Sequence, residues 1–258
     1  MMRHLFVTVT ALLLFPASSC SEATLATQNA DDIVDDTQQI SPLEEAVNHL
    51  NERRSESGLA AVHIDDNLEA GCTAHIQYME ATGRVIHEQD ANSPFFSFEG
   101  AKAAENAALS GNVNSLSDAV AAWLSEPYHR RPLLHPGLST VGGAFSNGFA
   151  CLDIFSTANG VKDHAPIPYP GRNAVQIPTT YKALGIANPL PDDWDPPVGT
   201  VISYEIPAHW NLHGTTSFVL ETAEDNETVG VWIGLPYRAT DPYASFQGNT
   251  ILAIPNQP

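Results

Sequence analysis

The chain has 258 residues, with 11 Lys and Arg against 30 Asp and Glu and a formal charge of −19. So few cations make no basic stripe, which excludes counterion-releasing contacts to nucleic acid and docking on anionic lipid through a polybasic segment. At 43% hydrophobic and 16% charged the bulk is globular, and three cysteines without a CxxC pair exclude both a dense disulfide scaffold and a thiolate zinc site.

Arg3 precedes the apolar run Leu5 to Phe15 and the small-residue finish Pro16-Ala17-Ser18-Ser19-Cys20. This is the pattern of a secretory signal peptide over residues 1–20, too short for a permanent membrane span. Ala17-Ser18-Ser19-Cys20 also resembles a bacterial lipobox, so a lipid anchor at Cys20 is the one membrane attachment expected, with plain secretion as the alternative. Both place the mature chain outside the cytoplasm, secreted or anchored to the cell envelope. Residues 21–41 hold five acids and no bases. They read as a solvated acidic tether rather than a calcium loop, because Asp31-Asp32 and Asp35-Asp36 lack the EF-hand spacing and its glycine.

Ser41-Pro42-Leu43-Glu44 opens a helix with a capping hydroxyl, a proline at the first helical position and a Glu that reaches back. Leu43, Val47 and Leu50 recur at helical spacing and Gly58 stops the run. A second helix takes Asp66 as its cap, puts Leu68, Cys72, His75 and Met79 on one face and ends at Gly83. The Ala-rich stretch from Gly100 to Ser110 reads as a third. A fourth starts near Ser115, buries Leu116, Val120, Trp123 and Leu124, and ends around Glu126 because Pro127 cannot continue it. The period then changes to two: residues 139–145 and 149–156 flank Ser146-Asn147-Gly148, a strong hairpin signal. Eight prolines between Pro166 and Pro197 suit an extended linker over residues 157–199. Beyond it, residues 200–206, 216–221, 229–233 and 250–254 read as short β segments at sandwich-like spacing, forming a β-rich unit over residues 200–258.

Four positions carry the chemistry: His87, Glu105 of Glu105-Asn106, Glu126 and His129. Together with Leu50-Asn51-Glu52-Arg53, Gly58-Leu59, Leu68 and His75 on the next helix, Trp123 six residues before His129-Arg130, and Val141-Gly142-Gly143, they make residues 42–156 resemble the CAP superfamily. This is the cysteine-rich secretory, antigen 5 and pathogenesis-related 1 group, or SCP domains, and the resemblance is to its bacterial branch. It implies an α+β fold, an α-β-α sandwich, with a cleft of two histidines and two glutamates that binds zinc or another divalent metal in some members. His87 and His129 take the histidine places, and Glu105 and Glu126 the glutamate places. The Gly-His-Tyr-Thr-Gln run of eukaryotic members is missing here, while Glu126 stands where bacterial members often carry Ser.

The residues alone support the same chemistry. Neutral imidazoles suit zinc, and carboxylates orient them or hold a metal-bound water. Binding of a divalent metal or small ligand in this cleft is the function expected. The alternatives are a metal-assisted hydrolase with Glu105 or Glu126 as general base, and a cell-surface interaction module in which the four residues only lock helices together. Glu99 is the rival of Glu105. His75 reads as a satisfied core histidine, and His135 as a neighbour of the His129 loop. Arg130 and Arg131 are expected to pair with acids. His209 and His213 lack the Glu of a zincin helix. If Cys20 is lipidated, Cys72 and Cys151 remain as an even pair, either bridged in an oxidising compartment or buried as free thiols.

Overall fold

In the computed structural model the described residues are 40–158, 160–161, 163–181, 190, 194, 197–207, 220–221, 228–234 and 249–255. The leader, the lipobox with Cys20, the tether up to Gln39, and His209 and His213 lie outside them.

Helix α1 (Pro42–Glu56) begins as its sequence dictates: Ser41 Oγ accepts from Glu44 N at 3.1 Å and Glu44 Oε2 accepts from Ser41 N at 2.7 Å. Its apolar stripe Leu43, Val47 and Leu50 is buried, and Gly58 follows its end with φ of +78°. Asn51 then pins the returning chain, accepting from Val62 N at 2.7 Å and donating to its carbonyl at 3.0 Å. After the short strand β1 (His63–Ile64), helix α2 (Asp66–Thr82) is capped by Asp65 and not by Asp66. Asp65 is still extended, so its Oδ1 reaches Asn67 N and Leu68 N at 2.9 and 3.2 Å. Asp66 instead puts its charge in the first turn, where the helix dipole favours it.

Helix α3 (Phe98–Asn106) is shorter than its alanine content suggests. The expected continuation to Ser110 is instead the strand β2 (Ala107–Ser110), because the ladder it forms with a neighbouring strand outweighs alanine's helix propensity. Helix α4 (Leu116–Ser125) is capped by Ser115, whose Oγ accepts from Asp118 N at 3.0 Å. Pro127 ends it and also starts a further helix that periodicity did not suggest, α5 (Pro127–Leu133), since a fixed φ and a missing N–H suit a first helical position.

Strands β3 (Thr140–Ser146) and β4 (Phe149–Asp153) form the expected hairpin, with Asn147 and Gly148 both at positive φ (47° and 82°) between the paired Ser146 and Phe149. The central sheet runs β1-β3-β4-β2, parallel only between β1 and β3. Strand alternation divides its side chains. Ala108, Val141, Ala150 and Leu152 join the core of α1, α4 and α5, whereas Ala107, Leu109 and Cys151 join Cys72, Ile76 and Met79 of α2 and Ala103 of α3. Helices thus cover both faces, giving the expected α-β-α sandwich. A Cβ on Gly142 would fall 2.2 Å from Glu69 N, so a side chain-free position is what lets α2 lie directly on β3. Cys72 and Cys151 form a disulfide across this layer, with Cα atoms 5.5 Å apart.

The proline-rich segment contributes more than a spacer. Its strand β5 (Ile167–Tyr169) buries Ile167 and Tyr169 in the core of α1 and α4. Farther on, β6 (Thr180–Tyr181) pairs with β7 (Val198–Gly199), and β8 (Ile202–Ile206) follows. A small ladder joins β9 (Leu220–Glu221) to β10 (Thr228–Val229). With β11 (Val231–Gly234) and β12 (Asn249–Pro255) the larger sheet is antiparallel in the order β11-β12-β8-β5. Pro168 is tolerated because β5 is the edge strand. The β-rich region is therefore present, but its sheet borrows that edge from residues 167–169, and from Ile40 onward the chain forms one compact unit. No helix among the described residues is long and apolar enough to cross a membrane.

Candidate functional site

Glu126 occupies the kink between α4 and α5, closing one helix and preceding the other, with extended φ and ψ of −93° and 124°. One turn later His129 turns back, and its Nδ1 lies 2.7 Å from Glu126 Oε2. The carboxylate is mostly covered and the imidazole half exposed, at 16% and 48%. A carboxylate acceptor fixes the proton on Nδ1 and leaves the Nε2 lone pair free.

His87 lies on the exposed segment after α2, and its Nδ1 is 2.9 Å from the Ala104 carbonyl. A carbonyl only accepts, so this ring too carries its proton on Nδ1 and presents a free Nε2. Glu105, the residue after that carbonyl, is exposed on the last turn of α3. Glu99 sits in the first turn of the same helix, where its backbone packs against Gly71. The fold therefore joins Glu126 to His129 directly and ties His87 to the residue before Glu105. It does not gather a full ligand shell: among the described residues no three His, Cys, Asp or Glu side chains are grouped so as to hold a metal ion. The donor chemistry fits a metal, while the number of converging donors is short of three.

The other candidates are accounted for. His75 is fully buried, with Nε2 2.9 Å from the Ile86 carbonyl and Nδ1 3.0 Å from Gln89 Nε2. Desolvation pushes its pKa down and the Ile86 contact opposes this. His135 Nδ1 accepts from Gly137 N at 3.1 Å, serving a turn, and burial lowers its pKa as well. Arg131 pairs with Glu205 at 3.6 Å as expected. Among the described residues Arg130 pairs with no acid. It is buried, donates to the Val201 carbonyl at 2.8 Å and Ser203 Oγ at 3.2 Å, and lies 4.0 Å from the Tyr169 ring centroid, binding the C-terminal sheet to α5. Desolvation lowers its pKa to about 10. The polar face of α1, with Glu45, His49 and Glu52, carries a four-and-three spacing offset by two residues from the apolar stripe.

Residues 47–159 match the model of the cysteine-rich secretory protein family, CAP. Among solved structures, an extracellular SCP-domain protein from Bacillus anthracis is 14% identical, with a TM-score of 0.39, over 44% of this chain and 40% of that one. An outer surface protein from Borrelia burgdorferi is 20% identical, with a TM-score of 0.35, over 44% and 94%. A cysteine-rich secretory protein from Staphylococcus aureus is 18% identical, with a TM-score of 0.33, over 44% and 38%. The matched region is thus well under half of the Bacillus and Staphylococcus proteins. No curated protein matches the chain. With the order of motifs from Leu50 to Gly143 and the two-sided sandwich they build, residues 47–159 are the part of the chain that is similar to the CAP superfamily.

Proposed function

We propose that the chain acts outside the cytoplasm as a CAP-domain binding protein, taking a divalent cation or small ligand on Nε2 of His87 and of His129, with Glu105 and Glu126 as supporting carboxylates. The observation that carries this reading is the shared tautomer. In its neutral form each ring gives an Nδ1–H to a fixed oxygen, the Ala104 carbonyl or the Glu126 carboxylate, which leaves Nε2 as the acceptor. Metal-binding histidines are oriented by the same kind of partner. Zinc is the first ion to test, because imidazole suits it. The extracytoplasmic setting is supported by the leader pattern, by the disulfide between Cys72 and Cys151, and by the extracellular and surface proteins to which the chain is similar.

Calorimetry with zinc on the full chain, compared with His87→Ala and His129→Ala, tests the reading. Each substitution is expected to weaken binding by about tenfold or more. Equal heats for wild type and the doubly substituted chain would overturn it.

A further inference from the structure

The residue after His129 carries a charge into the interior. Arg130 is only 1% exposed, and a buried cation is costly unless its N–H groups find acceptors. On one side those acceptors belong to the C-terminal sheet. Nη1 donates to the Val201 carbonyl at 2.8 Å and to Ser203 Oγ at 3.2 Å, and the guanidinium carbon stands 4.0 Å from the centroid of the Tyr169 ring. Tyr169 and Ser203 are opposed residues of the β5–β8 ladder. Opposed residues project from one face of a sheet, so the ring and the hydroxyl meet the cation together.

On the other side the same residue reaches back along its own chain. Nη2 donates to the Ser125 carbonyl at 3.3 Å, and the Arg130 backbone N donates to the Glu126 carbonyl at 2.8 Å. Ser125 is the last residue of α4, where carbonyls lack an intrahelical partner and the helix dipole favours a cation. These two bonds close residues 125–130 on themselves, and both Glu126 and His129 lie within that arc. The C-terminal region meets it a second time through Tyr181 of β6, which is buried. Burial first, and then the Glu126 carboxylate, push the Tyr181 phenol up to about 12.

From this geometry we infer that Arg130 is the positioning residue of the Glu126–His129 pair. Anchored on the C-terminal sheet at Tyr169, Val201 and Ser203, it fixes the kink between α4 and α5 so that Glu126 Oε2 stays 2.7 Å from His129 Nδ1. The sheet thereby takes part in the histidine site without contributing a ligand to it. A fork of several donors is what lets one side chain hold kink and sheet at once, which a lysine could not do. The consequence for zinc rests on the proposed role of His129 as a ligand, whereas the hold on the pair does not.

Long-range proton–nitrogen NMR of the full chain, at a pH where the histidines are neutral, reads the His129 tautomer, its signals identified by their loss in His129→Ala. The wild-type ring is expected in its Nδ1–H form. Arg130→Met keeps much of the side-chain length but none of its donors, and should convert the ring to a mixture with the Nε2–H form. Ser203→Ala removes one contact on the sheet side and should shift the ring in the same direction by less. Cys72→Ala with Cys151→Ala loosens the opposite face of the central sheet and should leave the His129 signals as in wild type, which separates positioning from a general loss of stability. In zinc calorimetry Arg130→Met should weaken binding by about tenfold or more. A wild type that takes up no zinc would overturn the metal role of the histidine site and leave the NMR to decide the hold on the pair. Near-ultraviolet circular dichroism checks folding, and if Arg130→Met unfolds the chain, Ser203→Ala decides. An unchanged His129 tautomer in these variants, an equal change in the cysteine variant, or unchanged zinc affinity in Arg130→Met when wild type binds would each overturn the inference.

Discussion

On the face of the central sheet covered by α2 and α3, Cys72 and Cys151 are joined by a disulfide, whereas the face covered by α1, α4 and α5 is closed around a buried charge. There Arg54 is fully buried and donates to the carbonyls of Ala60, Leu133, His135 and Leu138 at 2.7 to 3.1 Å. Burial lowers its pKa to about 10, so the guanidinium stays charged at neutral pH. One face is closed by a bond that chemistry can open, the other by hydrogen bonds that only unfolding releases. The bridge spans 79 residues of chain. Its loss should be the largest single effect: Cys72→Ala with Cys151→Ala, or reduction, is expected to lower stability by about 4 kcal/mol in the chain-entropy picture. Urea unfolding with and without reductant measures this, and coincident curves would show that the covalent link adds nothing to the α2 face.

Arg54→Met breaks the other side of the comparison. It keeps much of the side-chain length but strands four carbonyls, two of whose contacts are buried. The expected cost is roughly 3 kcal/mol, since bonds to a charged donor and orphaned acceptors both count. This loss should be the same in oxidised and reduced protein. A loss that appears only after reduction would mean that the two faces are not independently held.

These two closures differ in how far the sequence announces them. Two cysteines on predicted elements of one domain suggest a bridge, but nothing in the spacing of Arg54 says that it turns inward, because arginine is mostly found at surfaces. The same contrast runs through the fold. Local signals placed the starts of α1 and α4 at Ser41 and Ser115 and the hairpin at Asn147-Gly148, since caps and positive-φ turns are encoded within a few residues. Long-range pairing is not so encoded. Ala107–Ser110 reads as helix until β4 is beside it, and Ile167–Tyr169 reads as linker until β8 and the core claim it. At the histidine site, Glu126 and His129 are one helical turn apart and their contact was legible. The hold of the Ala104 carbonyl on His87 was not, because it joins side chain to backbone across 17 positions.

A smaller effect comes from protons. Each face also holds a histidine whose pKa is pushed down by desolvation, the buried His75 on α2 and the partly buried His49 on α1, and His135 near Arg54 behaves alike. The unfolded chain titrates these rings near pH 6.5. Below that value it takes up protons that the folded chain refuses, so stability present above about pH 6.5 falls as pH drops toward the lower folded pKa values. Asp153 and Glu205, raised by burial, act with the opposite sign. His75 accepts from Gln89 only while neutral, so protonation also breaks the contact holding Gln89, whose Oε1 accepts from Ser97 N at 3.0 Å at the start of α3. In His75→Gln the slope of unfolding free energy against pH between about 6.5 and 5 should fall by about one proton. The two histidines of the other face would supply what remains. An unchanged slope would assign the acid sensitivity to the α1 face alone.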